Sequence, residues 1–258
     1  MPPAKVPAPA DKGLAPAPVD SLDAARARLI VALDAPNLSD ALHLVDRLEE
    51  TCMWFKVGLE LFTAAGPTVV DTLTSRGFRV FLDLKFHDIP NTVAGAVRSA
   101  ARLGARLLTL HAAGGPAMLA AAREAALSQP NPPQLLAVTV LTSMDAAQLN
   151  AIGVDGTPAQ QVERLARMGM QAGLRGFVCS PEEVSTLRGL TGPEGILVIP
   201  GIRPAGAAPG DQKRIATPAD ALSRGASYLV VGRPITQAPN PAEAAQQVLR
   251  EMATALAK

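Results

Sequence analysis

The chain has 258 residues, 48% of them hydrophobic and 18% charged, with 24 basic against 23 acidic side chains and a formal net charge of +1. That is enough apolar chain for one large α/β domain or two small ones, and so even a charge balance excludes a nucleic-acid footprint or a basic membrane-binding face. No apolar run reaches the ~20 residues of a membrane span, and the two cysteines, far apart, with three histidines do not make a structural zinc motif.

The first stretch, "MPPAKVPAPADKGLAPAPVDSLDAA", is rich in Pro and Ala and lacks the continuous apolar segment of a signal peptide. Residues 1 to about 22 read as a disordered extension without chemistry of its own, a partner-binding tail being the alternative. Residues 23–258 then form one domain. Cys52 and Cys179 lie far apart inside apolar runs, as buried reduced thiols of a cytoplasmic protein would.

Beyond the tail, short apolar runs alternate with longer Ala-rich segments. The runs are "LIVALD" (29–34), "MWFKVG" (53–58), "RVFLDLK" (79–85), "LLTLH" (107–111), "LLAVTVLT" (135–142), "GFVCS" (176–180), "ILVIPGI" (196–202) and "YLVVGR" (228–233). They are short, Val/Ile/Leu-rich and nearly continuous in hydrophobicity, as parallel strands buried on both faces should be. The helices between them have readable starts. Ser180-Pro181 with Glu183 makes a capping box, Thr157-Pro158 and Thr217-Pro218 repeat the device, and 91–104, 114–127 and 240–257 fit Ala-rich helices packing on a sheet. Eight strand–helix units in roughly 230 residues predict a single-domain α/β fold, the (β/α)8 TIM barrel. A doubly wound open sheet is the rival, but the first strand runs into "LDAPNLSD", without the Gly-rich turn that fold usually carries there.

In such a barrel the C-terminal strand ends build the active site. Strand one ends in Asp34, strand two carries Lys56, and strand three carries Asp83 and Lys85 with Asp88 just beyond. Alternation puts Phe81, Asp83 and Lys85 on one face of strand three and Val80, Leu82 and Leu84 on the other. The all-apolar set packs on helices, so the charged set points into the barrel near its mouth. One Asp–Lys pair would fit a structural ion pair, although these seldom outperform apolar packing. Five charges around one mouth point to a functional site. His111, at the end of strand four, fits a hydrogen-bonded packing residue as well as a catalytic one. His87 lies on a turn that it can simply shape. The loops after strands seven and eight, "RPAGAAPGDQKR" and "GRPITQ", suit an anion: Gly232 allows close backbone approach and Arg203 and Arg233 offer forked donors. Residues 203–212 read as a lid, with Gln212 near its end in reach of a ligand, or as a plain flexible loop.

The segments "DLKFHDIPNT", "PGIRP…GDQKR" and "VVGRPIT", in order after "VALD" and "FKVG" and around "VTVLTS", resemble the orotidine 5'-phosphate decarboxylase family from residue 29 to 250. Asp-x-Lys-x-x-Asp by itself is shared with barrels acting on sugar-phosphate keto acids; the full set of motifs is far more specific. The resemblance implies decarboxylation of orotidine 5'-phosphate to UMP and CO2 in pyrimidine biosynthesis, with no cofactor and no metal. Lys85 would protonate C6, Asp83 would sit beside the substrate carboxylate, and Lys56 and Asp88 would complete an alternating run of charges. Asp34 would hold a ribose hydroxyl and Thr142 the pyrimidine. Arg203, Gln212, Gly232 and Arg233 would line the phosphate end. Asp88 and Thr92 would reach a partner subunit's site, so the resemblance also implies a homodimer. Two rivals are a Mg-dependent decarboxylase or aldolase acting on a sugar-phosphate keto acid and a non-catalytic barrel binding a phosphorylated ligand.

Overall fold

The computed structural model describes residues 21–204 and 214–257. The extension expected over residues 1–22 therefore lies outside the described residues except for Ser21 and Leu22, which open a helix, Ser21–Arg26. Eight parallel strands follow: β1 (Leu29–Leu33), β2 (Trp54–Gly58), β3 (Arg79–Phe86), β4 (Leu107–His111), β5 (Gln134–Val138), β6 (Gly176–Val178), β7 (Ile196–Ile199) and β8 (Tyr228–Val231). Each pairs with the next, and β8 returns to β1 to close the barrel.

The closure follows from the pleat. Leu29, Val31 and Leu33 of β1, Phe55 and Val57 of β2 and Val80 and Leu82 of β3 belong to the outer apolar layer, together with the inward faces of the helices. The intervening positions Ile30, Ala32, Trp54, Phe81, Leu107, Leu136, Val198, Tyr228 and Val230 form a second cluster that fills the barrel. With both faces buried, most strand positions are apolar, which is why the strands read as nearly continuous apolar runs. Trp54 and Tyr228 meet edge to face inside the barrel at 5.4 Å between ring centroids, a favourable aromatic geometry.

The helix starts are built as the sequence predicts. The Thr157 hydroxyl accepts a hydrogen bond from the Gln160 amide and the Thr157 amide donates to Gln160 Oε1, opening the helix Pro158–Gln171. Thr217 caps Pro218–Ser223 through the Asp220 amide, and Asn240 caps Pro241–Leu256. Such caps each contribute about 1 kcal/mol. The Ser180 box is present as well, but it first opens a 3-10 turn, Pro181–Glu183, which leads into the helix Val184–Thr191.

Two features depart from the eight-unit pattern. Several units hold two helices, such as Leu59–Ala65 with Thr68–Ser75 after β2 and Ala146–Ala151 with Pro158–Gln171 after β5. Strand five stops at Val138 instead of running to 142. The apolar run continues because Val140 joins the outer core, so burial persists after the ladder ends. Hydrophobic periodicity reads burial and is blind to where the pairing stops.

Candidate functional site

At the C-terminal end of the barrel the inward positions change from apolar to charged. Above Trp54 comes Lys56, above Ala32 comes Asp34, and above Phe81 come Asp83 and Lys85. The pleat that packs the floor therefore aims these groups into the mouth. They form one chain of alternating sign: Asp34 Oδ1 lies 3.0 Å from Lys56 Nζ, Lys56 Nζ 3.8 Å from Asp83 Oδ2, and Asp83 Oδ1 2.9 Å from Lys85 Nζ. The Asp83 side chain is 14% exposed and that of Lys56 12%, against 60% for Asp34, so the middle of the chain is shielded and one end is wet. Gly58, two residues beyond Lys56 on the same face, leaves room for the ammonium: a Cβ there would stand 2.8 Å from Lys56 Nζ.

The backbone at Lys85 is unusual. Its φ is +49°, the sole positive value at a non-glycine among the described residues, a conformation costing about 1–3 kcal/mol. Register between β3 and β4 shifts here: Leu82 pairs with Leu108, but Phe86 pairs with Leu110. The extra β3 residues bulge into the mouth and carry Asp83 and Lys85 with them. Opposite the bulge stands Thr109, fully buried, whose hydroxyl accepts from the Lys85 amide at 2.9 Å and donates to Asp83 Oδ1 at 3.0 Å. No motif pointed to Thr109; its one sequence signal is a hydroxyl in an otherwise apolar strand.

A cavity of about 260 Å³ opens over these charges. Its apolar floor includes Ala32, Phe81, Val138, Val198 and Val230, and its rim carries Thr142, Arg203, Gly232 and Arg233. Arg203 is 8% exposed; burial, and then the charge of Arg233, lower its pKa. Two guanidiniums sharing one wall favour a bound anion between them. Arg203 also donates its amide to the Ala216 carbonyl at 3.0 Å, beside an isolated bridge of Ile202 with Ala216. This contact fastens together the two ends of the loop after β7. Gln212 lies outside the described residues.

Asp88 and Thr92 are not among the residues lining the cavity. Both are exposed, and Asp88 Oδ1 accepts from the Ile89 amide at 2.6 Å. The structure thus brings Asp34, Lys56, Asp83, Lys85, Thr142, Arg203, Gly232 and Arg233 to one mouth and leaves Asp88 and Thr92 on its outer rim.

His111 and His87 stack obliquely, 5.4 Å between ring centroids. Burial first, then the charges of His87 and Lys85, hold the His111 pKa below its ordinary value, with Asp83 opposing. Cys52 is pushed up to about 12 by burial, which outweighs Arg26. Cys179 is raised as well, by burial and then by Glu183. Neither thiol is a candidate nucleophile. Among the described residues no three His, Cys, Asp or Glu side chains group so as to hold a metal ion. A second cavity, about 390 Å³, lies between Met144, Thr157 and Thr186. Its buried charges, Glu183 and Arg214, already neutralise each other as an ion pair.

Comparison with known proteins agrees with this geometry. The family model described as "Orotidine 5'-phosphate decarboxylase / HUMPS family" matches residues 27–248. The chain is 54% identical to the orotidine 5'-phosphate decarboxylase of Nitrosococcus oceani, covering 88% of this chain and 98% of that protein. It is likewise 54% identical to the one from Moorella thermoacetica, covering 88% and 93%. Among solved structures, the orotidine 5'-phosphate decarboxylase of Lactobacillus acidophilus superposes with a TM-score of 0.78 at 39% identity, over 87% of this chain and 98% of that one. With a matched segment that spans all eight strands, and relatives that share half their residues with it, the chain belongs to the orotidine 5'-phosphate decarboxylase / HUMPS family.

Proposed function

We infer that this chain decarboxylates orotidine 5'-phosphate to UMP and CO2, a carbon–carbon lyase step of pyrimidine biosynthesis. The observation that carries the reading is the run Asp34–Lys56–Asp83–Lys85 in the same cavity as Arg203 and Arg233. The family description spans two groups, but the curated relatives at 50–54% identity bear the decarboxylase name. Neither the keto-acid lyase nor the binding-only barrel gains support from them.

The chemistry fits the charges. When the bond from C6 to the carboxylate breaks, CO2 leaves and the electron pair stays on C6, an sp² carbon with no carbonyl placed to absorb it. Lys85 stabilises that pair as a neighbouring ammonium and then transfers a proton from Nζ to C6. The amine regains its proton from solvent. Asp83 holds the ammonium in line and lies beside the departing carboxylate, while Lys56 links Asp83 to Asp34. No cofactor serves as electron sink in this mechanism; fixed charge takes that part. Asp34 holds a ribose hydroxyl, Thr142 the pyrimidine edge, and Arg203, Gln212, Gly232 and Arg233 the phosphate. Phosphate binding, remote from C6, contributes energy to order the charged run.

The functional unit in this reading is a homodimer in which Asp88 and Thr92 enter the partner's site. Supporting it are their exposure on the mouth's outer rim and the neighbouring Ile89, an apolar side chain 67% exposed. A cytoplasmic location goes with this role, and the two buried free cysteines suit a reducing compartment. Among the described residues no helix is long and apolar enough to cross a membrane.

The test is a spectrophotometric assay with orotidine 5'-phosphate, with and without EDTA. Loss of the substrate's ultraviolet absorbance at an EDTA-independent rate is expected. A rate that EDTA abolishes would overturn the metal-free mechanism, and no rate at all would return the keto-acid lyase and then the binding-only barrel.

A further inference from the structure

We propose that Thr109 is a positioning residue for the decarboxylation, its hydroxyl setting the geometry of the Asp83–Lys85 pair. The proposal rests on the decarboxylase reading above and extends it to a side chain that does not touch the cavity.

Three observations meet at this hydroxyl. First, β3 advances four residues between Leu82 and Phe86 while β4 advances two between Leu108 and Leu110. Thr109 is the single β4 residue opposite Asp83, Leu84 and Lys85. Its own pairing to Leu136 on β5 is regular, so it is held from the other side by an undistorted ladder. Second, the Lys85 amide has left that ladder, and its acceptor is Thr109 Oγ1 at 2.9 Å. A buried amide without an acceptor costs about as much as a lost hydrogen bond. The hydroxyl thus stabilises the one non-glycine residue that adopts positive φ among the described residues. Third, the same oxygen lies 3.0 Å from Asp83 Oδ1, which also receives Lys85 Nζ at 2.9 Å.

The direction of these bonds is fixed by chemistry. An amide N–H only donates and an ionised carboxylate only accepts. The hydroxyl therefore accepts from Lys85 and donates its proton to Asp83, leaving it no freedom to rotate. One side chain holds the main chain of the proton donor and the carboxylate that orients it. Thr109 is fully buried, so its hydroxyl makes these bonds away from bulk solvent. Small displacements of a reacting group are costly in rate, so the hydroxyl acts on turnover through Lys85.

Thr109→Val keeps the shape and removes the hydroxyl; Thr109→Ala removes it without steric demand; Thr109→Ser keeps it. Turnover of orotidine 5'-phosphate is measured together with UMP affinity. The expected result is a kcat reduced about 10²-fold in Thr109→Val, UMP affinity unchanged, and most of kcat recovered in Thr109→Ser. If Thr109→Val does not fold, the contrast of Thr109→Ala with Thr109→Ser reads the same quantity. Wild-type kcat in the hydroxyl-less variants overturns the proposal, as does a parallel loss of kcat and UMP affinity, the mark of a merely structural role. Inert wild-type protein would bring down the decarboxylase reading and this inference together, whereas an active wild type with an equally active Thr109→Val removes the positioning role alone.

Discussion

The Arg214 guanidinium and the Glu183 carboxylate form a buried ion pair between the loops after β7 and β6, with side chains 10% and 5% exposed. Glu183 also accepts from the Ser180 amide at 2.9 Å, and Arg214 donates to the Leu141 carbonyl at 3.1 Å. Leu141 adjoins Thr142, on the cavity rim, and Arg214 is the first described residue after 205–213. The pair thus ties the loop bearing Thr142 to the end of the loop expected to cover the ligand. Removing one partner leaves the other charge buried, at about 3–5 kcal/mol. Glu183→Gln and Arg214→Met should each destabilise the fold by that order, and the double variant by clearly less than the sum. Denaturant unfolding of the four proteins checks this; additive losses would show that the pair is not coupled.

If Lys85 acts as proposed, Lys85→Ala removes the proton donor and the charge that stabilises the carbanion together. In the proposed mechanism these effects account for turnover but not for phosphate binding, which is assigned there to Arg203 and Arg233 on the cavity wall. The variant should lose at least about 10³-fold in kcat while remaining folded and binding UMP. Single-turnover absorbance and UMP titration separate the two. A Lys85→Ala protein with near-normal turnover would refute the assigned chemistry.

The sequence discloses what is local to a strand. Alternation along "FLDLK" already separates Phe81, Asp83 and Lys85 from Leu82 and Leu84, and the structure puts the first set inside and the second outside. The capping residues Thr157, Ser180 and Thr217 are legible for the same reason: donor and acceptor lie within three residues of each other. Relations between strands are not legible. Thr109 acquires its role from a register shift between β3 and β4, and Gly58 from the ammonium folded back over it. Arg214 meets Glu183 across 31 positions, through loops whose path periodicity cannot predict. The apolar runs 135–142, 176–180 and 196–202 extend past their strands because buried loop residues such as Val140, Cys179 and Ile202 look like strand residues.

If Asp88 completes the partner's site, the two sites of a dimer can be dissected by mixing. Lys85→Ala and Asp88→Ala should each be inactive as homodimers. A heterodimer of the two contains one site with both residues intact and one with neither. Random exchange in an equal mixture should therefore restore about a quarter of wild-type activity, as two-fold symmetry requires. Coexpression with two affinity tags and tandem purification measures it directly. No gain of activity in purified heterodimer would place Asp88 in the site of its own chain.

His111 supplies a pH dependence. Its folded-state pKa lies below the ordinary 6.5, chiefly through burial and then through the charges of His87 and Lys85. In the unfolded chain it takes up a proton as pH falls through 6.5, while the folded chain resists. Between those two values the unfolded state binds more protons, so stability rises with pH. Acidification through that window costs the native state, and below the lowered folded pKa the cost stops growing. His111→Gln removes this contribution. The apparent Tm of the wild type should fall more steeply than that of His111→Gln between about pH 7 and pH 5. Parallel slopes would mean that the imidazole is protonated as readily in the fold as out of it, and that its burial does not oppose its charge.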